Sequence, residues 1–305
     1  MWHPFDDVLC SPLHWGTPIM PTNCEPDHTR RGARRRVPPV RRKRLMPDAT
    51  TPPRPRPGLL TSVTRKSAAA CAVALLLAIG LAAPSSATGA MCVTFIRHAE
   101  SAGNASGLID TSTPGPTLTP VGTQQAQNVA STLGDAHFDS LYASTMVRTQ
   151  RTAAPLSEKL GLPVQVLDGL QEIEAGVFEY TPERAAAQGY GQYPVAWALQ
   201  NQRNLRIPGS IDGNEFDARM DSALQTIWDN GDRDAAVFSH GAAIMFWTMM
   251  NIDTLTPEQK IDLLTTAPLA NTDHVVVEGT PATGWTLVNW NGRPVSPEPG
   301  CGQTG

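Results

Sequence analysis

The chain has 305 residues, long enough for one large or two medium domains, and a formal net charge of −4. That average joins two segments of opposite sign: residues 1–66 hold 13 Lys and Arg against 5 Asp and Glu, and residues 67–305 hold 11 against 23. Nucleic-acid backbones are bound through Lys and Arg, so nucleic acid is excluded as a partner of the acidic segment. The five cysteines show no CxxC and no Cys/His cluster, which excludes a structural zinc site of the usual spacing.

Residues 1–62 are rich in Pro and Arg, as in Arg30-Arg31-Gly32-Ala33-Arg34-Arg35-Arg36 and Pro52-Pro53-Arg54-Pro55-Arg56-Pro57, and carry few aliphatics. Such a composition buries too little apolar surface to offset backbone ordering, and predicts a disordered basic leader. Two readings of it stay open. It is an arm for nucleic acid or an anionic membrane, or it lies upstream of a true start at Met46 or later.

Residues 63–90 carry Arg65-Lys66, an apolar run from Ala68 to Ala83, Pro84, and then Ser85-Ser86-Ala87. A positive flank, a short apolar core and small residues at −3 and −1 predict a secretory signal peptide cleaved after Ala87, or an uncleaved N-terminal anchor. Either places the remainder outside the cytoplasm, secreted or in the cell envelope. A membrane is then a partner only through an uncleaved N-terminal segment. Cleavage leaves Cys92 and Cys301, which either form a disulfide or stand as one buried thiol and one tail thiol.

From residue 91 strand patterns alternate with helix patterns, which predicts an α/β fold with a mostly parallel central sheet. A domain over 91–292 and a polar tail over 293–305 are expected. Cys92 to Ile96 is the first strand. Thr119-Pro120 caps a helix that ends at Gly134. Phe138 to Tyr142 is a strand, Val147 to Leu160 a helix stopped by Gly161, and Pro163 to Leu167 a third strand. Thr181-Pro182-Glu183 opens a short helix, and Tyr193 to Gln202 forms another. Phe216, Met220, Ala223 and Ile227 give 214–229 one apolar helical face. Ala235 to Phe238 is a strand, Ala242 to Met250 a buried helix, and His274 to Glu278 and Trp285 to Trp290 are late strands.

Several strand ends deliver chemistry. Arg97-His98 follows the first strand, pairing a guanidinium that grips oxyanions with an imidazole that can attack phosphorus. Arg148 opens the helix after the second strand, where a cation and helix amides both suit an anion; Arg151, one turn on, reads as solvated. Glu172, Glu174 and Glu179 follow the third strand, and a carboxyl held protonated there serves as a general acid. The residues alone do not choose among the three. His240 follows the fourth strand, with Gly241 leaving room for close approach. His137 and His274 lack such a setting.

Five segments in order carry a resemblance. They are Arg97-His98-Ala99-Glu100-Ser101-x-x-Asn104, Leu118-Thr119-x-x-Gly122-x-x-Gln125-Ala126, Ser144…Arg148-Thr149-x-x-Thr152, Leu170-x-Glu172…Gly176 and Ser239-His240-Gly241. Together they resemble the histidine phosphatase (phosphoglycerate mutase-like) superfamily, in the branch with an RHGE-type motif. The resemblance covers roughly residues 91–280 and implies a three-layer αβα sandwich with no metal and no cofactor. It implies that His98 is the nucleophile and Glu172 the proton donor. Arg97, Arg148 and His240 would form the phosphate pocket, with Asn104 also touching phosphate. Ala99 departs from the commoner Gly, and residues 105–117 lack the aromatic stretch expected of true mutases.

The function so implied is hydrolysis of a small-molecule or head-group phosphate ester through a phosphohistidine. The alternatives are a non-catalytic phospholigand-binding module of the same fold and, behind it, a phosphomutase. Specificity is expected in residues 105–117 and 177–212, where Tyr180, Tyr190, Tyr193, Trp197, Arg203 and Arg206 either line a site or pack.

Overall fold

The structure, a computed structural model, describes residues 89–295 and Cys301. The expected leader and the signal segment as far as residue 88 lie outside the described residues. β1 (Met91–Arg97), β2 (Ser140–Ala143), β3 (Val164–Val166) and β4 (Asp234–Ser239) run parallel, and β5 (His274–Thr280), β6 (Gly284–Trp290) and β7 (Arg293–Pro294) add antiparallel strands at one edge. The order is β3-β2-β4-β1-β5-β6-β7.

The sequence of β1 explains its central place. Val93 and Phe95 enter one core and Ile96 the other, so both faces are covered and the strand reads as an apolar run interrupted only by the buried Thr94. On the Ile96 side pack α2 (Pro120–Leu133), through Val129 and Ala130, and α3 (Val147–Leu160), through Ala153 and Leu156. On the Phe95 side pack α4 (Gln192–Leu199), α5 (Gly213–Asp229) and α6 (Gly241–Asn251), through Trp197, Phe216 and Trp247. The layers are therefore helix, sheet, helix, as expected. Phe95 and Trp247 meet with ring centroids 5.4 Å apart, fixing α6 against β1.

Most helix limits follow the local chemistry. Thr119 caps α2 by accepting from Gly122 N–H, with Pro120 in the first turn, and Gly161 ends α3 with φ 70°. Differences from the expected elements are few. The helix at Glu183 is a 3₁₀ turn over Glu183–Gln188, and a one-turn helix, α1 (Ala102–Ser106), follows His98. A helix absent from the expectation, α7 (Pro257–Thr266), starts on the capping box of Thr256 and Gln259. The tail is not wholly separate: Arg293–Pro294 pair with β6, and Cys301 is bonded to Cys92 with Cα atoms 5.6 Å apart. Among the described residues no helix is long and apolar enough to cross a membrane.

Candidate active site

β1, β2 and β4 end at one edge of the sheet, and each hands a polar residue to the same crevice, as parallel sheets do at their carboxyl ends. β1 delivers Arg97 and His98, β2 is followed by Ser144, and β4 by His240. His98 N–H donates to Ser239 O at 3.0 Å, prolonging the ladder one residue past β1 and holding the two histidines side by side. Their ring centroids lie 5.1 Å apart, edge to face.

His98 is buried, and its tautomer is set locally. Nδ1–H donates to Ala99 O at 2.8 Å, so the Nε2 lone pair faces away from the backbone. Arg148 Nε donates to that Nε2 at 3.1 Å. Burial holds the imidazole well below its ordinary pKa, and the charges of Arg148 and Arg97 push the same way. His98 is therefore neutral at neutral pH.

Thr152 stands one turn beyond Arg148 on α3. Its hydroxyl donates to Arg148 O at 2.7 Å and accepts from Ala99 N–H at 2.9 Å, locking the turn after His98 to the arginine's helix. The Ala99 methyl is accommodated without strain: the side chain is fully buried, and residue 99 is not among those with positive φ. Gly122 closes the same corner. A Cβ there would lie 2.0 Å from Glu100 O, so only glycine lets α2 approach this closely.

Two guanidinium groups are left with donors facing inward. Arg97 donates through Nη1 to Leu269 O, yet its Nε is buried without a partner. Arg148 has Nη1 buried without a partner. Burial lowers the pKa of both, though arginine stays cationic at any physiological pH. Gly241 makes room for the first: a Cβ on it would lie 3.2 Å from Arg97 Nε. His240 Nε2 is 2.8 Å from Ser144 Oγ, and its Nδ1 is buried without a partner. Three buried nitrogens, on side chains next to His98, thus lack partners and keep hydrogen-bonding capacity that an anion could use. Among the described residues no group of three or more His, Cys, Asp or Glu side chains is placed to hold a metal ion.

Glu172 distinguishes itself from its neighbours. Its carboxylate accepts from Ala243 N–H at 2.8 Å and Ala242 N–H at 3.2 Å, at the start of α6 and next to His240, and from Ile173 N–H at 2.9 Å. Burial raises its pKa, while those amides and the Arg148 charge pull it down. Glu174 instead pairs with Arg219 at 3.6 Å, and Glu179 takes Thr111 N–H and the Thr111 hydroxyl. Of the three carboxyls, only Glu172 is bound to the helix that begins at His240.

Asn104 has a structural occupation. Its Oδ1 accepts from Ser101 N–H at 3.1 Å in the α1 capping box and from Asn271 Nδ2 at 3.4 Å. Asn271 also donates to His98 O at 3.0 Å. Asn271 and Leu269 lie in a loop without sequence signal; Thr152 had one, its i+4 spacing from Arg148. The expected specificity segments are divided. Tyr190 and Trp197 are buried in the core, Tyr193 packs on Phe178, Arg203 pairs with Asp217, and Arg206 with Asp212 and Glu215. Tyr180 is exposed, with φ 60°.

A family model described as histidine phosphatase superfamily, branch 1, matches residues 93–293. The PE-PGRS family protein PE_PGRS11 of Mycobacterium tuberculosis is 42% identical over 220 residues, covering 67% of this chain and 37% of that protein. The adenosylcobalamin/alpha-ribazole phosphatase of Escherichia coli is 35% identical over 119 residues, covering 39% of this chain and 58% of that one. The chain therefore spans well under two thirds of these curated relatives. Among solved structures, the mycobacterial glucosyl-3-phosphoglycerate phosphatase superposes with TM-score 0.54 at 22% identity, over 66% of this chain and 99% of that one, a likeness of fold. The chain belongs to branch 1 of the histidine phosphatase superfamily.

Proposed function

We propose that the chain is a phosphomonoester hydrolase that works in two steps through a phosphohistidine. The observation that carries this reading is the setting of His98: neutral, with one tautomer fixed by Ala99 O and its Nε2 lone pair met by Arg148 Nε, beside side chains whose buried nitrogens lack partners. An incoming phosphate takes the guanidinium groups of Arg97 and Arg148 and His240 Nδ1–H on its non-bridging oxygens, with Asn104 Nδ2 as a further donor. Engaging Arg148 draws its Nε away from His98 Nε2 and frees the lone pair. Nε2 then attacks phosphorus, the ester P–O bond breaks, and Glu172 gives its proton to the departing oxygen. In the second step Glu172, now a carboxylate, takes a proton from water; the water oxygen attacks phosphorus, the P–N bond breaks, and inorganic phosphate leaves. The arginines supply the charge, so the scheme uses no metal.

The substrate is expected outside the cytoplasm. The signal-like segment before residue 88 supports that, as does the Cys92–Cys301 bond, since disulfides persist in oxidising compartments. His98→Ala on a generic aryl phosphate tests the mechanism. Turnover should fall by about 10³-fold or more, and alkaline-quenched wild-type protein should yield a phosphorylated peptide containing His98. Undiminished turnover would refute the scheme, and phosphate binding with no release of phosphate from any ester would favour a binding module.

A further inference from the structure

The backbone that carries Glu172 is tied down from four directions. Ser239 Oγ donates to Leu170 O at 2.8 Å, Arg219 Nη2 to Glu172 O at 3.1 Å, Tyr190 OH to Ile173 O at 2.7 Å and Ser210 Oγ to Glu174 O at 2.7 Å. Ala175 N–H, next along, donates to Thr111 Oγ1 at 2.9 Å. Three of the four carbonyls are held by neutral hydroxyls. Only Glu172 itself is held by a charged group.

Arg219 is an expensive choice for that task. Its side chain is 18% exposed, and Nε and Nη1 are buried without partners. The Glu174 carboxylate is 3.6 Å away, and the guanidinium carbon lies 5.6 Å from the Phe216 ring centroid. A buried guanidinium with so few bonds costs stability, and a backbone carbonyl is equally well satisfied by a hydroxyl. The charge is therefore expected to have a use, and it lies within electrostatic reach of both Glu172 and His240. The contact is also close at the main chain: a Cβ on Gly169 would lie 2.3 Å from Arg219 O, so α5 and the turn before Glu172 touch backbone to backbone.

We propose that Arg219 is a positioning residue for Glu172, clamping its main chain and placing a fixed positive charge behind its carboxyl. The proposal rests on the reading of Glu172 as the acid–base group. It separates Arg219 from the anion pocket: Arg219 acts on the leaving group's proton and not on the phosphoryl oxygens.

The test compares kcat/KM for an alkyl phosphate, whose leaving group needs a proton, with that for 2,4-dinitrophenyl phosphate, whose leaving group does not. In the full chain, Arg219→Gln should lose about 30-fold or more on the alkyl ester and less than about 3-fold on the dinitrophenyl ester. Its inhibition constant for inorganic phosphate should stay within about 2-fold. Arg219→Lys should shift the alkyl-to-aryl ratio the same way by about 5-fold, and it decides the matter if the Gln variant does not fold. Equal losses on both esters, or none on the alkyl ester, overturn the proposal. Glu172→Gln serves as reference. If it shows no leaving-group dependence, the reading of Glu172 falls and this proposal with it; if it does and the Arg219 variants do not, only this proposal falls.

Discussion

The anion pocket and the segment that carries Glu172 both use buried polar groups, but in opposite ways. In the pocket, Arg97 Nε, Arg148 Nη1 and His240 Nδ1 are left without partners. In the segment, nearly every carbonyl is matched by a side chain from elsewhere. A pocket must keep its hydrogen-bonding capacity for a ligand, and buried donors without partners cost about 1–3 kcal/mol each. The acid–base group of the proposed scheme needs the reverse, a backbone with little freedom. In the proposed scheme the two arrangements serve different steps: free donors await the phosphate, and a tethered main chain holds Glu172.

The largest effect should come from the pocket. In the proposed scheme Arg148→Ala removes a donor to the phosphoryl oxygens, and these are the same whatever the alcohol. A loss of about 10²–10³-fold in kcat/KM is expected, equal for alkyl and aryl esters, with a parallel rise in the inhibition constant of inorganic phosphate. A loss that depended on the leaving group would place Arg148 on the other side of the comparison.

The two regions were unequally legible in the sequence. Arg97, His98, Arg148 and His240 all follow strands or open helices, so hydrophobic periodicity alone brings them to one edge of the sheet. Glu172 was not separable from Glu174 and Glu179 by such reasoning, because all three lie in one irregular loop. What separates them is tertiary: the α6 amides take Glu172, Arg219 takes Glu174 and Thr111 takes Glu179. Asn271, Ser210 and Tyr190 act through one or two bonds each from distant segments, which leave no period or spacing to read. The α7 capping box at Thr256-Pro257-Glu258-Gln259 did leave a local signal, and that helix was readable.

Next in size is the segment's own variant. Tyr190→Phe removes only the bond to Ile173 O, leaving that carbonyl unsatisfied beneath a well-packed ring. About 1–3 kcal/mol of stability should be lost, read as a lower urea midpoint. A fall of about 10-fold in kcat/KM should be confined to alkyl esters. A uniform fall across esters would show that the segment and the pocket move as one body.

The two regions should also pull stability in opposite directions with pH. His98 and His240 have native pKa values below those of the unfolded chain, both chiefly through burial. The unfolded state binds more protons below about pH 6.5, so their share of stability is present above that pH and is lost as pH falls. The Glu172 carboxyl is raised by burial, so its contribution has the opposite sense, favouring the native state at low pH and fading as pH rises through its native value. Replacing both histidines by Gln should flatten the acid-side fall in unfolding free energy between about pH 6.5 and 4.5. Glu172→Gln should be better tolerated at pH 7.5 than at pH 4, since it removes the penalty for ionising the carboxyl but also one acceptor for the amides. An unchanged slope in the double histidine variant would mean that these imidazoles are not held neutral.

The smallest effect belongs to a carboxyl outside both regions, and it serves as the control. Asp234 begins β4, at the opposite end of that strand from His240, and its pKa is pushed up to about 6 by partial burial and by Asp139, with His137 opposing. Its native pKa exceeds the unfolded value, so the penalty for ionising it is absent at pH 4 and complete above about pH 6. Asp234→Asn should therefore stabilise at pH 7.5 and not at pH 4. The group is half exposed, and solvent screening limits the gain to about 1 kcal/mol or less, a rise of at most about 2–4 °C in Tm. kcat/KM should not change for either class of ester. A change confined to one class would reveal coupling along β4 between its first residue and the site, which neither the unsatisfied donors of the pocket nor the tethered loop of Glu172 requires.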